Sequence, residues 1–394
     1  MDDHHEDNDL DNLIVLYGLR QISILKQSKR IDPRQFQSLV RRRILAGVIR
    51  RRALLDASKS PFWKVYNYGC DASFVSFTGL DFNSFNELVV EYEKVYNAYS
   101  PHLQTSKGMM KKLKGKAGRK RLLDARSSLG LVLTWLRTRG SNRTLCYLYG
   151  IIPSSCSIWL RFGKRCLLRV LLEDDDAKVR MPTDQEIEKY KGMIQALYPR
   201  IKDVYAAMDG LKLYLESTED EGTQNMFYNG WQCDHYISNL FVFVPDGKII
   251  ASYMNAPGSI HDSTMANMSG IYDKLDEVYE RTGGKVVGDS AFAAKKSILK
   301  SGQRGVNRDG RPTAYITIDA TSIRQFSEWG MHALQSGFPR IKERIPYEER
   351  GERKLLVQLV VLMYNYRTAK LGLNQIKTVY EAAIGKNPIQ LLRE

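Results

Sequence analysis

Three stretches decide the fold: VYAAMDGLKLYLE (204–216), HYISNLFVFVPDGKIIASYMNA (235–256) and KVVGDSAF (285–292). The first reads as a strand expected to end or bend at Asp209-Gly210. The second has two runs of β-branched and aromatic residues around Pro245-Asp246-Gly247, the composition of a hairpin and its turn. The third is a short apolar strand. Between the second and third, DSTMANMSGIYDKLDEVYERTG (262–283) has helical spacing, and the chain from about 322 is again helical.

The order strand, hairpin, helix, strand, helix predicts a mixed α/β domain over 201–370, of a kind that suits a ribonuclease H-like fold, with 371–394 as a C-terminal tail. Upstream, the texture is all-helical. In 76–200, Phe82, Phe85, Leu88, Val89, Tyr92 and Val95 fall on one side of a helix. Thr183 followed by Glu186 is a capping pattern that opens another. The segment 142–172 reads as helix-turn-helix-like. Its first helix ends at Tyr149-Gly150, the turn is Ile151-Ile152-Pro153, and Ser154 or Ser155 caps the second helix, which carries Arg161, Lys164, Arg165 and Arg169. An ordinary helical hairpin with a basic face is the alternative. Residues 1–75 read as a poorly ordered region with basic and helical stretches, including Arg41-Arg42-Arg43 and Arg50-Arg51-Arg52. These suit an import signal, a DNA-contacting arm or a solvated helix face.

The 394 residues carry a net charge of +15, with 43% hydrophobic and 26% charged residues. A folded chain with that excess favours an anionic partner, nucleic acid first. The five cysteines are scattered without a CxxC pair, which argues against a disulfide framework or a zinc module. No apolar run reaches the ~18 residues of a membrane span. The acidic start MDDHHEDNDLDN is unlike a signal peptide, so the expected location is cytosolic or nuclear. The basic loop 106–121 supplies Lys111, Lys112, Lys114, Arg119, Lys120 and Arg121 as candidate phosphate contacts. Arg324, Arg340, Lys342 and Arg344 flank a later helix and suit a DNA backbone equally well, solvated charge being the alternative.

Three carboxylates stand out by position. Asp209 lies where the first strand is expected to end, Asp289 follows the strand KVV, and Glu328 lies on the helix RQFSEWGMHALQ. Side chains at strand ends converge with those of a neighbouring helix in an open α/β sheet. Three hard oxygen donors there suit Mg²⁺ or Mn²⁺, and two such ions ~4 Å apart activate a water and stabilise the leaving oxygen of a phosphodiester. Spacing alone leaves open that each Asp is a turn or capping residue.

Four motifs in order, Asp209-Gly210, Pro257-Gly258-Ser259-Ile260-His261-Asp262-Ser263, Gly288-Asp289-Ser290-Ala291-Phe292 and the Glu328 helix continuing to Phe338-Pro339-Arg340, resemble the PIF/Harbinger class of DDE transposases and their domesticated relatives over roughly 110–380. The resemblance implies a DDE nuclease with a ribonuclease H-like core behind a helical DNA-binding domain, cutting and joining double-stranded DNA at transposon ends. It implies Asp209, Asp289 and Glu328 as catalytic metal ligands, with 38 residues between the last two. It further implies two divalent ions, a homo-oligomer, a Myb-like accessory protein and a nuclear location. Asp262 is a helix cap, a fourth carboxylate or the true second Asp. His235 and His261 are candidate metal or phosphate contacts, and Ser290 lacks the Gly-x-Ser-x-Gly setting of a nucleophile. Trp329 and Phe338 are expected in the core, and the aromatics of 227–231 as a wall of the sheet. The rival reading is a catalytically silent DNA-binding or adaptor protein on the same scaffold.

Overall fold

The computed structural model describes residues 49–104, 110–113, 121–216, 220–301, 314–346 and 350–385. The elements run α1 (Pro61–Tyr68), α2 (Asp71–Thr78), α3 (Phe82–Ala98), β1 (Tyr99–Gln104), β2 (Met110–Lys112), α4 (Ala125–Arg137), α5 (Arg143–Tyr149), α6 (Pro153–Glu173), α7 (Asp184–Leu197), β3 (Val204–Tyr214), α8 (Glu221–Phe227), β4 (Tyr228–Asn229), β5 (Asp234–Phe243), β6 (Ile249–Pro257), α9 (Asp262–Met268), α10 (Ile271–Thr282), β7 (Lys285–Gly288), β8 (Ile298–Lys300), α11 (Ala314–Gly337), α12 (Arg350–Leu371) and α13 (Gln375–Gly385).

The sheet is mixed. Its order is β4-β5-β3-β7-β8, with β6 also pairing β5. β3, β5 and β6 form an antiparallel meander, and β7 and β8 continue from β3 in parallel. The hairpin β5–β6 forms as expected, with Gly247 at φ 86° in its turn. Only glycine adopts that conformation without strain. β3 corrects one expectation. It does not end at Asp209-Gly210 but runs on to Tyr214, because β5 pairs with it residue by residue from Ala207 to Tyr214. The helix expected over 262–283 breaks into α9 and α10 at Gly270, φ 67°.

The amino-terminal helices form an aromatic core. Phe62 stacks on Tyr149 at 5.1 Å and Phe74 meets Phe85 edge to face at 4.9 Å. Such pairs add to the area that they bury. Gly130 allows this packing, since a Cβ there would stand 2.4 Å from the Phe62 ring. α1 and α2 therefore correct the expectation of a poorly ordered region up to residue 75: Phe62 and Phe74 are fully buried. α6 starts with Pro153 at its first turn and Ile152 as its N-cap, so neither Ser154 nor Ser155 caps it. Proline fits there because its missing N–H has no intrahelical partner to lose. The capping box of Thr183 and Glu186 opens α7 as expected. The expected tail from 371 carries α13, with Ile376 and Tyr380 buried and Tyr380 edge to face with Phe326 of α11 at 5.5 Å.

The described residues from Leu54 onward form one compact unit, and 49–53 stand outside it. Within that unit Glu352 of α12 ties the helical part to the α/β part, for it accepts from Lys164 at 2.6 Å and Arg165 at 2.8 Å, both on α6. The two basic residues expected on a DNA-reading face thus brace the helices against the α/β part.

Burial pushes the Glu352 carboxyl up, but Lys164 and Arg165 outweigh it and hold the group below its ordinary value. A depressed carboxyl adds stability that is complete at neutral pH and lost as pH falls through its folded value. Glu352→Gln strands two half-buried cations and should cost about 1–3 kcal/mol at pH 7. Urea melts of wild type and variant should show that gap shrinking toward the acid end of the stable range. A gap independent of pH would contradict the ion-pair account.

Candidate active site

The parallel register of β3 and β7 pairs Ala206 with Val286 and Ala207 with Val287. Two residues further on it brings Asp289, just past the end of β7, toward Asp209 in the middle of β3. Gly288 makes the exit possible, because a Cβ there would meet the buried Phe292 ring at 2.8 Å. Phe292 tucks under the strand end and the chain turns outward. Asp289 closes that turn, one oxygen accepting the Ala291 N–H at 2.8 Å.

Glu328 comes from α11. That helix lies on the sheet through Gly330, whose missing side chain leaves room for the Phe243 ring. Ile323, Phe326 and Leu334 are buried beside it. Arg200 grips Asp319 near its start with two bonds of 2.9 and 2.8 Å, fixing α11 against the segment that leads into β3. Phe338 is buried as expected, whereas Trp329 is only half-buried.

Asp209 faces α11. Its Oδ1 accepts the Gly210 N–H at 2.8 Å, and its Oδ2 accepts from Arg324 at 3.1 Å. The same guanidinium forms an ion pair with Glu328 at 2.7 Å, one turn along the helix. Arg324 therefore joins the first and third expected carboxylates, where the sequence offered it to a DNA backbone. Residues four apart on a helix face each other, and that spacing was the available signal.

Asp262 is the first residue of α9, and His261 before it is the N-cap, so Asp262 is not the cap. Its carboxylate lies against Gly210, where a Cβ would stand 2.6 Å from Oδ2. Since side chains alternate along a strand, Asp262 occupies the face of β3 opposite to Asp209. Burial, then Asp289, raises its carboxyl above the ordinary value. For Asp209, burial raises the carboxyl to about 6; the Gly210 N–H and Arg324 pull it down, while Asp289 and Asp262 push it up. Asp289 thus couples to both. Among the described residues no three His, Cys, Asp or Glu side chains stand close enough to hold a metal ion together. The donor chemistry suits a hard cation, and a cationic group already lies between Asp209 and Glu328, so the side chains are disposed as an arginine-bound site.

The other candidates divide. Lys111, Lys112, Arg161 and Lys342 are exposed. Arg121 is spent on structure, donating to the carbonyls of Tyr96 and Tyr99 and lying over the Tyr96 ring at 4.4 Å. Arg340 packs over Trp135 at 4.9 Å, donates to Gly140 and pairs with Glu343 at 3.1 Å. Arg344 pairs with Asp234 at 2.8 Å. Lys114, Arg119 and Lys120 lie outside the described residues, as do Arg41, Arg42 and Arg43. His261 is exposed, and His235 sits beside Tyr228 at 5.3 Å with a buried, unpartnered Nε2. The aromatics of 227–231 do not all wall the sheet: Phe227 is buried, but Trp231 is 91% exposed.

Residues 208–365 match the family model of the DDE superfamily endonucleases. The matched segment starts one residue before Asp209 and contains Asp262, Asp289 and Glu328. The similarity is to a superfamily of endonucleases and covers less than half of the chain. No curated protein and no solved structure matches the chain. No helix among the described residues is long and apolar enough to cross a membrane.

A carboxyl raised in the fold binds more protons there than in the unfolded chain, between its ordinary 3.8 and about 6. Stability therefore falls as pH rises through that window. Asp209→Asn removes the buried charge and should gain about 1–3 kcal/mol over wild type at pH 7.5 in chelating buffer, and almost nothing below pH 4. Thermal melts at both pH values check this, and a variant destabilised at pH 7.5 would refute it.

Proposed function

We propose that this protein is a transposase-type DNA nuclease of the PIF/Harbinger kind, with Asp209, Asp289 and Glu328 as its catalytic carboxylates. The observation that carries the reading is the convergence of Asp209 and Asp289 from neighbouring parallel strands, with Glu328 reaching in from α11, inside the segment similar to DDE endonucleases. The strand order, an antiparallel meander continued by two parallel strands, supports a ribonuclease H-like core.

In this reading the three carboxylates hold two divalent ions, Mg²⁺ or Mn²⁺. When bound, such ions supply charge neutralisation at the phosphate and a more acidic water. The chain's own part is positional. β3 and the turn after β7 fix two carboxylates, and α11 fixes the third, so little reorganisation remains. Water is the nucleophile for cutting: a new P–O bond forms as a strand P–O bond breaks. A DNA 3′-hydroxyl takes its place for joining, and no covalent link to the protein forms. Asp262, on the other face of β3, adds negative potential beside Asp289 and stands as a fourth carboxylate rather than as the second catalytic Asp.

Double-stranded DNA at transposon ends is the substrate, reached by exposed Lys111, Lys112, Arg161 and Lys342 and by the basic loop containing Lys114, Arg119 and Lys120. A homo-oligomer, a Myb-like accessory protein and a nuclear location complete the proposal. The second reading, a silent DNA-binding or adaptor protein, is favoured by one observation: among the described residues no three carboxylates come within reach of one ion.

Cleavage of a labelled duplex carrying the element's ends, with Mn²⁺ or Mg²⁺, separates the two. Asp289→Ala and Glu328→Ala should each lower the rate by ~10³ or more while leaving DNA binding intact, the scale of losing several kcal/mol of charge stabilisation. DNA binding without cutting by all three proteins, accessory partner supplied, would favour the adaptor reading.

A further inference from the structure

We propose that Arg324 is the resident counter-ion of the carboxylate site and competes with divalent cations for it. This rests on the nuclease reading above. One guanidinium meets carboxylates from two elements, 3.1 Å to Asp209 Oδ2 on β3 and 2.7 Å to Glu328 Oε1 on α11. A planar fork with five donors spans two acceptors, whereas an ammonium is a point charge. The arrangement holds the two side chains toward each other while it neutralises part of their charge.

A metal ion drawing on these oxygens competes with Arg324 for their lone pairs and meets its positive charge a few ångströms away. A cation therefore fills the site more readily once Arg324 is released, and the arginine sets how much metal the site needs. Release is open to it: Arg324 is 25% and Glu328 49% exposed, so both side chains reach solvent. A freed guanidinium at the mouth of the site is a bidentate donor for a backbone phosphate. DNA thus favours the released arginine and, by linkage, the metal-loaded site. Arg324 is in this sense a positioning residue, absent from the carboxylate set yet governing its occupancy.

Calorimetric titration of Mn²⁺ into the full chain tests the proposal with a readout independent of cleavage. Removing one positive charge a few ångströms from the ligands should tighten Mn²⁺ binding by about tenfold or more in Arg324→Gln. Arg324→Lys, which keeps the charge but not the span, should fall between that variant and wild type, and it carries the test if the glutamine variant does not fold. Added duplex DNA should tighten Mn²⁺ binding in wild type and much less in Arg324→Gln. Mn²⁺ binding by wild type with unchanged or weaker affinity in both variants would overturn the counter-ion role alone. Absence of Mn²⁺ binding in every protein, Arg324→Gln included, would overturn the metal-site reading and this proposal with it.

Discussion

Two carboxylates placed on neighbouring parallel strands repel each other, and burial strengthens the repulsion by removing water. Asp209 and Asp289 stand in that relation, with Asp262 adding a third charge from the far face of β3. In Asp209 burial itself is the largest cause of the rise of the carboxyl to about 6, and Asp289 and Asp262 add to it. Such a cluster persists only if something cationic stands near it or if the surrounding fold overrides the repulsion. Both hold here. Arg324 supplies the cation, and the register of β3 on β5 and β7, with α11 clamped by the Arg200–Asp319 pair, supplies the rigid frame.

The helical half owes its position to a similar balance. Its aromatic core is built from Phe62, Phe74, Phe85 and Tyr149. Among the contacts that join it to the α/β part, Lys164 and Arg165 converge on Glu352, Arg137 donates to the Gly337 carbonyl at the end of the Glu328 helix, and the buried Tyr366 hydroxyl of α12 donates to the Ser84 carbonyl. The basic residues are therefore not all offered to a partner. Some are spent on partners inside the molecule, and those that face outward include Lys111, Lys112, Arg161 and Lys342.

The fold was legible where local chemistry sufficed. The β5–β6 hairpin announced itself through Pro245-Asp246-Gly247, and α7 through Thr183 and Glu186. β3 was misjudged at Asp209-Gly210 because the glycine signals a bend locally. Its actual reason is tertiary: it leaves space for the Asp262 carboxylate, 52 residues away. The same limit hid α13, whose buried Ile376 and Tyr380 look like an ordinary tail until α11 is in place. At the site, motif order singles out the three proposed carboxylates, whereas the pairings of Lys164 and Arg165 with Glu352 span 188 and 187 residues and leave no local trace. The arginine between Asp209 and Glu328 had a trace, the i to i+4 spacing of Arg324 and Glu328, but nothing nearby showed that Asp209 would complete the bridge.

The central claim is that Asp209, Asp289 and Glu328 are ligands of one cation site. Diffraction from crystals soaked in Mn²⁺, recorded at an energy where manganese scatters anomalously, tests it most directly. The account predicts anomalous density bounded by these three side chains, with Arg324 turned away from Asp209. Manganese bound elsewhere, with the Arg324 bridge intact in a fully soaked crystal, would contradict it.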